Sequence, residues 1–318
     1  MTAQLQQPGS VRTTPAVVAH RGASEDAPEH TLAAYVRAIE DGADALECDV
    51  RLTRDGHLVC VHDRRVDRTS SGRGTVSAFE LAELAELDWG CWRSDLHPTP
   101  HPERHAALAP DLLHAVQPDL DRCGILTLER LCEVVASAGR RVELAIETKH
   151  PTRYGGLVEH RVVELLARFG WTSRVGGEVP PARVMSFSSL ALRRMRGLAP
   201  EVSTVLLLDR LPARLRAGWL PPGVTIAGPS IQLVRAQPAY VDVVQRRGGQ
   251  VHVWTVDRPE DVVLCADLGV DAIITNRPAE VSRQLLAPAL PSQVARREQD
   301  RARLALRSSR ERSFSHMQ

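Results

Sequence analysis

Four short stretches place polar side chains where a buried strand should carry apolar ones. His20 and Arg21 end Val17–His20, Glu47 and Asp49 interrupt Ala45–Val50, His62 and Asp63 end His57–His62, and Glu147 and Lys149 end Val142–Thr148. Side chains alternate across a strand, so Glu47 and Asp49 share one face while Leu46, Cys48 and Val50 share the other. Glu147 and Lys149 share a face for the same reason. Three carboxylates converging from two strands repel one another and rise in pKa unless a cation neutralises them. Ligands that are all oxygen select one hard divalent ion, Mg²⁺ or Ca²⁺, over zinc. Arg21 and Lys149 beside such an ion suit a phosphodiester anion, whose charge must be met as it grows in the transition state. His20 and His62, with ordinary pKa values of about 6.5, can divide the proton work. One takes a proton from the attacking oxygen and the other protonates the leaving alkoxide.

These side chains need a scaffold that brings strand ends together. Short apolar runs alternate with amphipathic segments along the chain, which predicts parallel strands joined by crossover helices. The predicted strands are Val17–His20, Asp44–Leu52, His57–His62, Val142–Thr148, Val184–Phe187, Val202–Leu208, Gln250–Val256 and Asp271–Thr275. The fold class is therefore α/β, a (β/α)₈ TIM barrel, whose chemistry sits at the C-terminal rim of the strands. Val224–Ala227 is one run too many and is assigned to a βα connection. Thr31–Asp41 has helical spacing with Gly42 as its stop, and Pro259 and Gly269 bracket another helix. Residues 64–124 break the rhythm and read as a small insertion over the barrel mouth, with Ser77 and Glu80 as a capping box before Leu81. The expected organisation is a loose tail over 1–15, the barrel over 16–287 and an arginine-rich tail over 288–318, with seven arginines between Arg296 and Arg312 against three acidic residues.

Composition narrows the class. The chain has 318 residues, 43% hydrophobic and 25% charged, with a net charge of +1. No global field draws it to nucleic acid, so anion recognition must be local. There is no run long enough to span a bilayer and no secretory pattern at the N-terminus. The six cysteines include no CxxC pair. They read as free, mostly buried thiols, which implies a reducing compartment and a cytoplasmic location.

The order His20-Arg21-Gly22, Pro28-Glu29-His30-Thr31, Glu47-x-Asp49, Val61-His62-Asp63 and Glu147-x-Lys149 resembles the glycerophosphodiester phosphodiesterase family. Arg68-Thr69, Gly72-x-Gly74, Leu126-Thr127-Leu128-Glu129, Ser186-Phe187, Trp254-Thr255-Val256 and Ile274-Thr275-Asn276 extend the resemblance from about Val17 to Ala279. It implies that Glu47, Asp49 and Glu147 hold the metal, that His20 and His62 are the acid/base pair, and that Arg21 and Lys149 bind phosphate. It further implies an aromatic wall beside glycerol at Trp254, with Phe187 as a second candidate, and support of the substrate site by Glu29. The implied reaction converts a small glycerophosphodiester to sn-glycerol 3-phosphate and an alcohol. Two positions depart from the family pattern: His30 stands for the usual Asn, and Asp257 follows the Trp-Thr-Val segment. Neither is expected to touch the metal ligands or the histidines.

Plainer readings remain for each group. His20 could be a hydrogen-bonded strand-end histidine, Glu47 and Asp49 could be structural ion-pair partners, and Trp254 could be core. Arg68, Thr69, Gly72 and Gly74 read as turn chemistry. A lysophospholipase-like phosphodiesterase is the enzymatic alternative, with Trp89 and Trp92 as an apolar rim. A non-catalytic phospho-ligand binding protein is the third.

Overall fold

The computed structural model describes residues 14–93, 123–152 and 155–287. The expected C-terminal tail, most of the expected N-terminal one and residues 94–122 of the expected insertion lie outside them. Eight parallel strands close on themselves: β1 Ala16–His20, β2 Ala45–Leu52, β4 Glu143–Thr148, β5 Ala182–Ser186, β6 Ser203–Leu208, β7 Ile226–Pro229, β8 Gln250–Val253 and β9 Ala272–Thr275. They are hydrogen-bonded in that order, and β9 and β2 both pair with β1.

The strand count was right and one member was wrong. Leu58–Cys60 (β3) pairs antiparallel with the end of β2 and lies outside the barrel. A parallel neighbour needs a crossover of a dozen or more residues. The chain between Leu52 and Leu58 is instead a tight turn, in which Thr53 N–H donates to the His57 carbonyl at 3.0 Å and Gly56 has φ 87°. The vacated place is taken by Ile226–Pro229, which overlaps the run assigned to a connection and pairs with β6 and β8.

Residues of one parity face the barrel interior. Val18, Ala45, Ala145, Met185, Val205, Leu207, Ile226, Ala272 and Ile274 form one buried cluster there. Going up β2 from Ala45, the same face presents Glu47 and then Asp49. Going up β4 from Ala145, it presents Glu147. The opposite parity, including Leu46, Cys48, Val50, Leu144 and Ile146, packs under the helices with Tyr35, Ile39, Leu131 and Leu166. At about 1.5–3 kcal/mol for each large apolar side chain removed from water, this layer supports the polar mouth.

Helix starts follow local chemistry. Thr31 caps α1 (Leu32–Glu40) by accepting from Ala34 N–H, and Pro259 stands in the first turn of a helix ending at Leu268, with left-handed Gly269 as its cap. The short helix Leu81–Ala85 (α2) is capped by Glu80 with Glu83, one turn later than expected, because Ser77 is taken up by a preceding 3₁₀ turn at Val76–Ala78. Gly22 has φ 85°, and a Cβ there would lie 2.6 Å from the Ala34 carbonyl carbon. Gly22→Ala is expected to cost about 2 kcal/mol or more, seen as a lower urea midpoint with unchanged slope. Four of the six free cysteines are buried, while Cys91 is exposed and Cys123 half-buried.

Candidate active site

The β-register decides which carboxylates meet. Asp49 stands opposite Glu147, and Glu47 stands opposite His20 on one side and Ala145 on the other. The three acids are buried, and each offers an oxygen within 4.8 Å of the others. Burial first, and then the charge of Asp49, push Glu47 well above the usual carboxylate range and Glu147 up to about 7. Asp49 goes the other way. Burial favours its neutral form, but a hydrogen bond from His30 and the charges of Lys149 and Arg21 hold it well below the ordinary value. The Lys149 ammonium lies 2.8 Å from Glu147 and 3.2 Å from Asp49. A clustered, all-oxygen donor set with two carboxylates driven toward protonation fits a hard divalent cation.

Such a cation must displace protons from both Glu47 and Glu147. Affinity is therefore expected to fall as the pH drops from about 8 to about 6, with proton release at neutral pH. Calorimetry in two buffers of different ionisation enthalpy measures this, and buffer-independent heats would contradict it.

The two histidines are held by opposite kinds of partner. His20 Nδ1 lies 2.7 Å from Asn276 Oδ1, and Asn276 Nδ2 donates to Asp257 Oδ2 at 2.7 Å. The Asn276 backbone N–H also donates to Asp257. With its amide nitrogen committed to a carboxylate, Asn276 turns its carbonyl to His20. The network thus assigns the proton to Nδ1 and leaves Nε2 as an acceptor. Burial, and then the Arg21 charge, lower His20 to about 3. His62 Nδ1 instead lies 2.7 Å from the Asp63 carboxylate, which Arg68 holds at 2.6 Å. A carboxylate favours the imidazolium, although burial still lowers the His62 pKa.

Arg21 has the left-handed backbone φ of 58°, and its N–H reaches Glu47 Oε2 at 3.0 Å. Its guanidinium contacts Glu29 at 3.0 Å and Asp49 at 3.1 Å. Glu29 also accepts two hydrogen bonds from Arg68. Glu29 is thus a carboxylate clamped between two arginines, and it reaches an anion only through them. Across the mouth, Phe187 is half exposed and meets Trp254 edge-on at 5.5 Å and 88°. Trp254 Nε1 donates to the Gly228 carbonyl at 2.6 Å, which fixes the ring as a wall. Eight of the ten expected site residues line one cavity of about 230 Å³: His20, Arg21, Glu47, His62, Glu147, Lys149, Phe187 and Trp254. Asp49 and Glu29 stand behind it.

Residues 20–280 match the model of the Glycerophosphoryl diester phosphodiesterase family. The chain belongs to that family. It is 44% identical over 272 residues to a probable glycerophosphodiester phosphodiesterase 1 of Mycobacterium tuberculosis, covering 85% of this chain and 92% of the relative. A glycerophosphodiester phosphodiesterase of Bacillus subtilis is 32% identical, covering 82% and 83%. The barrel is also similar to an Oleispira antarctica phosphodiesterase solved with its product sn-glycerol-3-phosphate, with TM-score 0.68 and 24% identity over 86% of this chain and 98% of that one.

Several site contacts of this phosphodiesterase family member escape a strand-by-strand reading. His30 does touch a metal-ligand candidate: its Nε2 lies 2.9 Å from Asp49 Oδ2, and its Nδ1 lies 2.8 Å from the Tyr35 hydroxyl. Asp257 reaches His20 through Asn276. Arg68 is an ion-pair hub rather than turn chemistry. Asn276 and Arg68 sit in motifs visible in the sequence, but nothing local says which histidine or carboxylate they meet. Trp89 is buried in a small cluster with Val61, Val66 and Leu84, and supplies no apolar rim.

Proposed function

We propose that this chain hydrolyses glycerophosphodiesters to sn-glycerol 3-phosphate and an alcohol, using a divalent cation, Mg²⁺ or Ca²⁺, held by Glu47, Asp49 and Glu147. The observation that carries the reading is the pair of histidines with opposite orienting groups that line the same cavity as Glu47 and Glu147. His20, kept neutral by burial and the Arg21 charge and oriented by the Asn276 carbonyl, takes the proton of the attacking oxygen at Nε2. His62, backed by a carboxylate, gives a proton to the leaving alkoxide. Arg21 and Lys149 meet the phosphate charge, and the Trp254–Phe187 corner packs against the glycerol carbons. When bound, the cation supplies charge neutralisation to the phosphoryl oxygens.

Family membership and the buried, all-oxygen cluster support this reading. No helix among the described residues is long and apolar enough to cross a membrane. The lysophospholipid alternative draws no support from the described rim, since Trp89 is internal and Trp92 lies beside the guanidinium groups of Arg68 and Arg93. The deciding experiment follows glycerol 3-phosphate release from glycerophosphocholine in EDTA, Mg²⁺ or Ca²⁺, beside lysophosphatidylcholine. Metal-dependent release from the first substrate is expected. A folded protein that releases nothing in either metal refutes the proposal.

A further inference from the structure

A second cavity of about 240 Å³ opens at the β2–β4 rim and shares Lys149 with the first. Its polar lining is Arg51, Arg64, Ser77, Lys149 and Thr152, with no carboxylate among the described residues that line it. Arg51 is the next mouth-facing residue of β2 after Asp49. Its Nε and Nη2 donate to the His62 carbonyl at 3.0 and 2.7 Å. That contact uses one edge of the guanidinium, and no carboxylate pairs with Arg51 or Arg64 among the described residues. The acids that act most strongly on Arg51 are Asp49, Asp63 and Glu147. All three are engaged elsewhere: Asp49 with Arg21, Asp63 with Arg68, and Glu147 with Lys149. Arg64 is close enough for its charge to weigh against that of Arg51. Its place is set by a backbone pairing in which its carbonyl accepts from Val76 N–H at 3.0 Å.

Two guanidinium groups around a small cavity, beside an ammonium shared with Glu147 and Asp49 and with no acid among the described lining residues, form a site for an anion. The location says which part of a substrate would reach it. An alcohol protonated at His62 departs beside the residue whose carbonyl Arg51 grips, at the β2–β4 part of the rim. We infer that this cavity is a leaving-group subsite that selects diesters whose alcohol carries a phosphomonoester. The inference rests on the reaction proposed above. A volume below the roughly 300–1,000 Å³ of drug-sized pockets suits a small charged head rather than an acyl chain.

The test compares glycerophosphoglycerol with its terminally phosphorylated counterpart, two diesters that differ by that one group. The wild-type enzyme is expected to favour the phosphorylated diester by about tenfold in kcat/KM, with the preference shrinking as salt is raised. Arg64→Glu is expected to abolish or reverse the preference, and Arg64→Ala to reduce it. Equal kcat/KM for the two substrates, or a preference untouched by Arg64→Glu, overturns the inference while leaving the proposed reaction intact. If neither diester is cleaved, the proposed reaction fails, and calorimetric binding of the same pair to the metal-loaded protein decides the subsite. Tighter binding of the phosphorylated diester, lost in Arg64→Glu, supports it, and equal binding overturns it.

Discussion

Asp49→Asn is expected to abolish divalent-metal binding and to destabilise the metal-free protein, whereas Glu47→Gln abolishes metal binding without that penalty. Both residues belong to the same cluster, yet their surroundings differ in sign. Asp49 is buried, with 1% of its side chain exposed, among Arg21 at 3.1 Å, Lys149 at 3.2 Å and His30 at 2.9 Å. Removing its charge leaves buried cations short of a counter-ion, a loss of about 3–5 kcal/mol where nothing compensates. Partial compensation is present, because Glu147 then ionises more readily beside Lys149, so the lower end of that range is expected. Glu47 is pushed up by burial and by Asp49. A neutral amide there relieves repulsion and can still accept from the Arg21 N–H. Urea unfolding in EDTA and metal titration measure the two effects separately. Equal destabilisation by both substitutions would show that the charges at Asp49 and Glu47 play the same part.

His20→Ala is expected to reduce kcat by about 10²–10⁴-fold while leaving metal affinity within about threefold of wild type. The imidazole lies beside the carboxylate cluster, so retained metal binding is what separates lost proton transfer from a lost metal site. The pH profile adds a sign. A base lowered to about 3 stays competent throughout the neutral range. Activity lost on acidification toward pH 6 should therefore come from protonation of the metal-ligand carboxylates, Glu147 at about 7 and the likewise raised Glu47, and should be restored by raising the metal concentration. Acid loss that metal cannot restore would point to a histidine instead.

Those outcomes depend on two kinds of information. Alternation along Ala45–Leu52 and Glu143–Thr148 is a property of the strand itself, so the shared face of Glu47 and Asp49, and the meeting of Glu147 with Lys149, were legible in the sequence. The helix starts at Thr31 and Pro259 were legible for the same reason, since capping and the missing proline N–H act within one turn. Strand partnership was less so. His57–His62 and Val224–Ala227 look alike as apolar runs, and only the loop between Leu52 and Leu58, too short for a crossover, tells them apart.

By itself, the sequence determined which residue types could bind a metal and a phosphate, and that a barrel rim would gather them. Tertiary structure decided how each is tuned. His20 takes its orienting carbonyl from Asn276, 256 residues away, because β9 closes against β1. Asp49 gains a His30 partner because the chain turns left-handed at Arg21 and again at His30. Glu29 and Asp63 become arginine-bound through Arg68, which the chain after β3 brings beside both. Side-chain alternation depends on two or three neighbouring residues and survives in any context, whereas a hydrogen bond or a shifted pKa depends on which distant strand is alongside, and only the closed barrel specifies that.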